Sequence, residues 1–465
     1  MAPASATESR PAAPAPPAPG PDLLLTASVR LAAAATACRR AGQELTAATT
    51  SRAFLADTAT KPLSALRTAW AAGRALTNAS GLGFAACGGA AGEAARCMGV
   101  ATLRRPAATA MAVDAFLARI QAAVPEHPNL AAPEVTRIVE AFAAAKPVEA
   151  ALALRALFQH MGVTRALTSL SPIGMELSAL AGLLDVNPLN DGFAWVTLLG
   201  GFPDSDPMFG IPAAALKILN PGPGRAAPVA PDRILAKVLA GADTDISRLV
   251  DVIGALGNHG LVHLRRVACA DGTDRYLLLL PGTGFGRLSN STPQDLVGAF
   301  DAICDTDTTY TRAVRKVLEY AQVPAGAELL IVGHSLGGMT AMNLACDPGF
   351  VGTWRLTHVV TVGSPIDNKR PADPYTTVVS LVNEHDVIPT LDGRGPTSPA
   401  DIPESWRELA WNDETYDYPL SHAPQSYSDA LRSATAGHHR ETVNDLIGAY
   451  AGTVVLDQPY LVRDR

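Results

Sequence analysis

Apolar positions follow two patterns along the chain, and the change comes near Gly260. Between residues 23 and 124, apolar side chains recur at helical intervals in an Ala-rich background, as at Leu24, Val29 and Leu31 and again at Leu63, Leu66 and Trp70. Ala and Arg are strong helix formers, so this stretch predicts several helices, punctuated at Pro62, Gly73, Gly81-Leu82-Gly83 and Gly88-Gly89. Helical patterning continues through 126–220, with helix openings at Pro133-Glu134-Val135 and Val148-Glu149-Ala150. Within it, 185–212 is rich in Gly, Pro and Asp and reads as ordered loop. Breakers cluster from Pro221-Gly222-Pro223-Gly224 to Pro231, which predicts a linker, and 232–256 predicts one or two helices.

Past Gly260 the period shortens. Residues 261–268 predict a strand, Asp271-Gly272 a turn and 276–280 a second, wholly apolar strand. Helices are expected at about 293–303 and 309–322, and strands at 328–332, 357–362, 378–382 and 407–411. Strands alternating with helices imply a parallel sheet covered on both faces. The expected architecture is an α/β catalytic domain over 258–465. Before it stand a disordered Ala/Pro-rich tail (1–22), an all-α Ala-rich region (23–220) and a linker with helices (221–257).

The chain has 465 residues, 48% of them hydrophobic and 17% charged, enough for a sizeable core. Its net charge of −7 argues against a nucleic-acid partner for the whole molecule. The charge is uneven: residues 23–125 hold eleven Lys/Arg and four Asp/Glu, giving +7 (11 − 4) and leaving −14 (−7 − 7) for the rest. The basic helices read either as a bundle or oligomerisation arm, or as a peripheral contact with an anionic lipid surface; no oligomeric state follows. Six cysteines without CxxC spacing suggest a reducing compartment. The N-terminus lacks the apolar core of a secretory signal, and no run of about 18 residues is apolar without charges or breakers. The expected location is the cytoplasm, or a membrane face without crossing it. No His, Cys, Asp or Glu spacing suggests a metal.

The chemistry centres on Gly333-His334-Ser335-Leu336-Gly337-Gly338, between the apolar run at 328–332 and a small-residue helix. Strand, tight turn and helix in that order form the nucleophile elbow of an α/β-hydrolase, which lifts a serine hydroxyl off the sheet end. Ser335 then needs an acid and a histidine, in that order along the chain. Asp386, just past the strand at 378–382, is the acid; Asp367 is the alternative, and Asp392 reads as a turn residue. His422, in a loop before a helix, is the base, with His438 and His439 as alternatives. His334 is expected to pack beside the nucleophile, and His385 to be a neighbour of the acid. The Leu336 N–H and the Gly282-Thr283-Gly284 loop, with the Thr283 hydroxyl, are candidates for an oxyanion hole, and 285–292 for a lid. No cofactor is required.

Four motifs together resemble the class 3 (fungal-type) lipase family of α/β-hydrolases. They are Leu280-Pro281-Gly282-Thr283-Gly284, the elbow, Thr361-Val362-Gly363-Ser364-Pro365, and Asn383-Glu384-His385-Asp386-Val387-Ile388-Pro389. The resemblance spans roughly 270–430. It implies hydrolysis of acyl-glycerol or similar esters by Ser335, Asp386 and a downstream histidine, with a lipid or small ester as substrate. Two further readings stay open: an acyltransferase or thioesterase using the same triad, and a lipid-surface or scaffolding protein with a silent hydrolase domain.

Overall fold

Eight strands form one sheet in the order β1-β8-β2-β3-β4-β5-β6-β7. The structure is a computed structural model and describes residues 20–77, 107–125, 127–144, 146–184, 191–199, 213–241, 243–284, 290–392 and 403–465. The strands are β1 (Arg225–Pro228), β2 (Leu261–Cys269), β3 (Asp274–Leu280), β4 (Glu328–His334), β5 (Arg355–Val362), β6 (Thr377–Asn383), β7 (Trp406–Trp411) and β8 (Gly452–Arg463). β3 through β7 run parallel, while β2, β8 and β1 are antiparallel to their neighbours.

The central strands are apolar throughout because helices cover both faces. Leu278, Leu280, Leu329, Ile331 and Val359 face one buried cluster with the helices Leu296–Cys304, Thr309–Tyr320 and Leu336–Ala345. Leu277, Leu279, Leu330, Val332 and Val360 face the other, with the helices Ile246–Leu256, Pro424–Arg432 and Gly437–Ile447. The strict alternation along β3 and β4 is the period-2 consequence of the pleat.

The structure adds a strand that the sequence reading did not include, β8, and differs from expectation in three further places. The breaker-rich stretch expected as linker supplies β1, which pairs with β8; an edge strand tolerates Pro228 because its missing N–H breaks no central ladder. The helices Arg233–Ala240 and Ile246–Leu256 bury Leu235, Leu249 and Ile253 on the sheet, and Leu216 joins the other face, so the sheet's folded unit begins before residue 221. Within 185–212, expected as loop, Asp191–Leu199 is a helix, because Phe193, Ala194, Trp195 and Leu198 are buried. The tail over 1–19, the glycine pairs at 81–83 and 88–89, and lid residues 285–289 lie outside the described residues.

The helices before residue 200 have their own core. Pro21–Thr49 packs on Ala107–Ala123 through Ala32, Ala35, Ala108, Ala112 and Ala115, small side chains that let the two helices approach closely. Arg119 is buried there, its Nε donating to Ser28 Oγ (3.0 Å) and its Nη2 to Leu198 O (2.6 Å). The guanidinium thus caps the last carbonyls of Asp191–Leu199. No helix among the described residues is long and apolar enough to cross a membrane.

Asp301, on Leu296–Cys304, accepts from Asn220 Nδ2 at 2.8 Å, and burial lifts its carboxyl from 3.8 to about 6. The native state therefore holds a proton between those values that the unfolded chain releases, so stability falls as pH rises through that window. Asp301→Asn should raise the melting temperature by a few degrees at pH 8 and leave it nearly unchanged at pH 4; an equal change at both pH values would contradict this.

Candidate active site

β4 ends in a turn whose geometry follows from three glycines. A Cβ on Gly333 would overlap the Gly337 carbonyl, one on Gly337 the Leu280 carbonyl, and one on Gly338 the Ser364 side chain. Strand, helix and neighbouring strand ends therefore approach closer than any side chain allows. Ser335, between them, adopts φ 54° and ψ −122°, a strained conformation for a residue with a Cβ. It stands at the N-cap position of Leu336–Ala345, where first-turn N–H groups lack intrahelical partners, and its hydroxyl caps none of them.

Three loops, following β4, β6 and β7, bring the predicted polar residues together. His422 Nε2 lies 2.9 Å from Ser335 Oγ, and its Nδ1 lies 2.6 Å from Asp386 Oδ2. Since the carboxylate only accepts, Nδ1 carries the proton, and Nε2 accepts from the serine hydroxyl. All three side chains are buried. Asp386 Oδ1 accepts from Ile388 N at 3.0 Å, and Asn383 Oδ1 accepts from His385 N and Asp413 N, tying the acid loop to the segment after β7.

His438 and His439 are not at this site. They open the helix Gly437–Ile447, and His439 Nε2 meets Ala410 O at 3.1 Å. The ring of His422 meets Asp386 and not Asp367. His385 Nε2 pairs with Asp417 Oδ1 at 3.2 Å. His334 packs beside the nucleophile, its ring centroid 4.6 Å from that of His422. Burial, then repulsion from His422, pushes its pKa well below the ordinary value, so it is neutral; its Nε2–H donates to the His422 carbonyl at 2.8 Å.

Two further groups were given no role at the site from sequence. Tyr427 Oη donates to Asp386 Oδ2 at 2.8 Å; burial, then the adjacent carboxylate, raises its pKa well above the ordinary value, so it stays a donor. Gly363, at φ 58°, makes room for this pair: a Cβ there would lie 2.8 Å from Tyr427 Oη and 3.0 Å from Asp386 Oδ2. The second group fixes the loop after β3. Buried Gln294 accepts from Gly260 N and donates to Tyr310 Oη at 2.9 Å, Tyr310 donates to Pro281 O at 3.2 Å, and Gly284 N donates to Gln294 O at 2.9 Å. Gly282 is thereby held against the nucleophile, where a Cβ would lie 2.8 Å from Ser335 Cβ. Such polar links between distant segments have no local pattern by which sequence could mark them.

A cavity of about 270 Å³ opens at Ser335, with Pro281, Gly282, Thr283 and His422 around it. Ile253, Gly254, Gly257, Pro419, Ala423 and Pro424 also line it. A cleft of about 860 Å³ lies between the N-terminal helices and the loops after β6 and β7, but Ser335 does not line it, so the chemistry belongs to the smaller cavity. Among the described residues no cluster of His, Cys, Asp and Glu is arranged to hold a metal.

Residues 289–395 match the family model described as lipase (class 3). This part of the chain is class 3 lipase-like. The matched segment of the lipase-like domain contains Ser335 and Asp386 but stops before His422 and starts after Thr283. The sheet, with parallel β3–β7 and the elbow after β4, is compatible with the α/β-hydrolase fold that this family implies. No curated protein and no solved structure matches the chain.

Gly337→Ala should destabilise the protein by about 2–3 kcal/mol, the cost of forcing volume into a closed contact. Gly352→Ala, on a helix where a Cβ meets nothing within 4 Å, should be neutral or slightly stabilising. Denaturant midpoints of the two variants test this, and equal midpoints would contradict it.

Proposed function

We propose that the lipase-like domain is a serine hydrolase that cleaves carboxylic esters of lipids through an acyl-serine intermediate. The observation that carries the reading is the continuous chain from Ser335 Oγ to His422 to Asp386, at 2.9 and 2.6 Å, beside an open cavity. Ser335 attacks the ester carbonyl while His422 Nε2 takes its proton and passes it to the leaving alcohol. Asp386 holds the imidazole with its proton on Nδ1 and stabilises the imidazolium that forms. Tyr427 and Ile388 N fix the carboxylate.

The developing oxyanion falls at the start of Leu336–Ala345, where the Leu336 N–H and the helix dipole favour negative charge. The second donor comes from Gly282-Thr283, held in place by Gln294 and Tyr310. Water then releases the acyl group by the same steps in reverse. His334, neutral and donating to the His422 backbone, orients the base and takes no proton itself.

Ser335→Ala should lower kcat on p-nitrophenyl esters by at least about 10³-fold and abolish labelling by a fluorophosphonate. A wild-type protein that neither turns over nor labels would mark the domain as silent, and acyl transfer to an added alcohol or thiol in preference to water would mark it as a transferase. Tyr427→Phe removes one hydrogen bond from the carboxylate and should cost about tenfold in kcat/KM, with the melting temperature nearly kept. A Tyr427→Phe enzyme with full activity would show that Asp386 needs no such support.

A further inference from the structure

The helix Pro62–Thr77 carries three large apolar residues on its exposed side. Among its described side chains, Ala65 and Ala72 are buried, two turns apart and therefore on one face. Leu63, Leu66 and Trp70 are 74%, 68% and 64% exposed. At about 100° per residue these three fall within about 60° of one another, on the side away from the two alanines. Arg67 is exposed on that same side, and Lys61 is exposed at the helix start. A contiguous large apolar stripe of this kind marks an interaction surface.

Charge selects the occupant. Residues 20–77 hold seven Lys/Arg and three Asp/Glu, +4 (7 − 3), within a chain of −7, so the remainder carries −11 (−7 − 4). Two copies meeting face to face through this region would repel. The area is also small for a stable dimer. Sixteen residues at about 1.5 Å rise span about 24 Å, and about 10 Å of width gives roughly 240 Å², against the roughly 800 Å² that a standard interface takes from each partner. A bilayer needs no such area, because a few side chains entering it are each surrounded by acyl chain, and Trp suits the headgroup boundary.

We infer that this face docks on an anionic lipid surface. Leu63, Leu66 and Trp70 enter the boundary of the acyl chains, and Lys61 and Arg67 pair with headgroup phosphates. The inference rests on the hydrolase reading only for its purpose, since lipid esters are met at such a surface. Its test is separate. The full-length protein carrying Ser335→Ala, which leaves the lipid intact, is sedimented with vesicles of phosphatidylcholine and phosphatidylserine, or of phosphatidylcholine alone. Trp70 is the exposed one of five tryptophans, the others being 6% exposed or less, so its emission reports the contact.

The expected result is binding to the anionic vesicles with a blue shift that Trp70→Phe removes. Partition should be at least tenfold weaker for the triple change Leu63→Ser, Leu66→Ser, Trp70→Ser and for the pair Lys61→Glu, Arg67→Glu; high salt should weaken the parent. No vesicle binding, or variants that partition like the parent, would overturn the inference. A concentration-dependent dimer in lipid-free ultracentrifugation that the triple change abolishes would also overturn it, in favour of a second copy. If the triple change alters the circular dichroism, the charge pair and Trp70→Phe decide the matter. The same changes with Ser335 intact should leave hydrolysis of a dissolved ester unchanged. If the parent fails to hydrolyse that ester, the hydrolase reading fails while the vesicle result stands.

Discussion

The arrangement depends on one close approach, the passage of the helix Leu336–Ala345 over the end of β4. Gly333, Gly337 and Gly338 leave no room for a Cβ against Gly337, Leu280 and Ser364. This forces Ser335 to φ 54° and turns its hydroxyl toward the loops after β6 and β7. The strain is local and is held by packing on both sides, since Leu336, Met339 and Met342 are buried against the sheet. The helix start is also the most favourable place near the serine for negative charge, so the turn that presents the nucleophile supplies part of the oxyanion environment.

Around that turn, polar groups from distant segments constrain one another. Asp386 accepts from His422, Tyr427 and the Ile388 backbone, and His422 is held at its carbonyl by His334. A buried carboxylate without such donors would be costly, so satisfying it and orienting the imidazole are one requirement. The Gln294–Tyr310 link does the same for the Pro281–Gly282 corner. Gly363 at φ 58° shows how a backbone conformation open to glycine makes space for a side-chain pair from elsewhere.

The helices before residue 200 follow a different physical logic. Among the described residues their core combines nine alanines with fourteen larger apolar side chains, and a buried Arg119 satisfies backbone carbonyls beside it. Alanine contacts bring Pro21–Thr49 close to Ala107–Ala123, while Leu63, Leu66 and Trp70 stay exposed.

Sequence alone determined what is local. Continuous apolar runs placed β3 through β6 to within two residues at each end, because a strand buried on both faces has few alternatives. The elbow was readable because its glycines and serine are contiguous and each is required by short-range geometry. What sequence left open was long-range. Whether His422 or the pair at 438 and 439 meets Ser335, that β1 and β8 complete the sheet edge, that Asp191–Leu199 is a helix, and that Tyr427 supports Asp386 were decided by which segments the fold brings together. Helical spacing placed Leu63, Leu66 and Trp70 on one face but did not say which way that face points. Orientation is a property of neighbours, and only the tertiary structure supplies them.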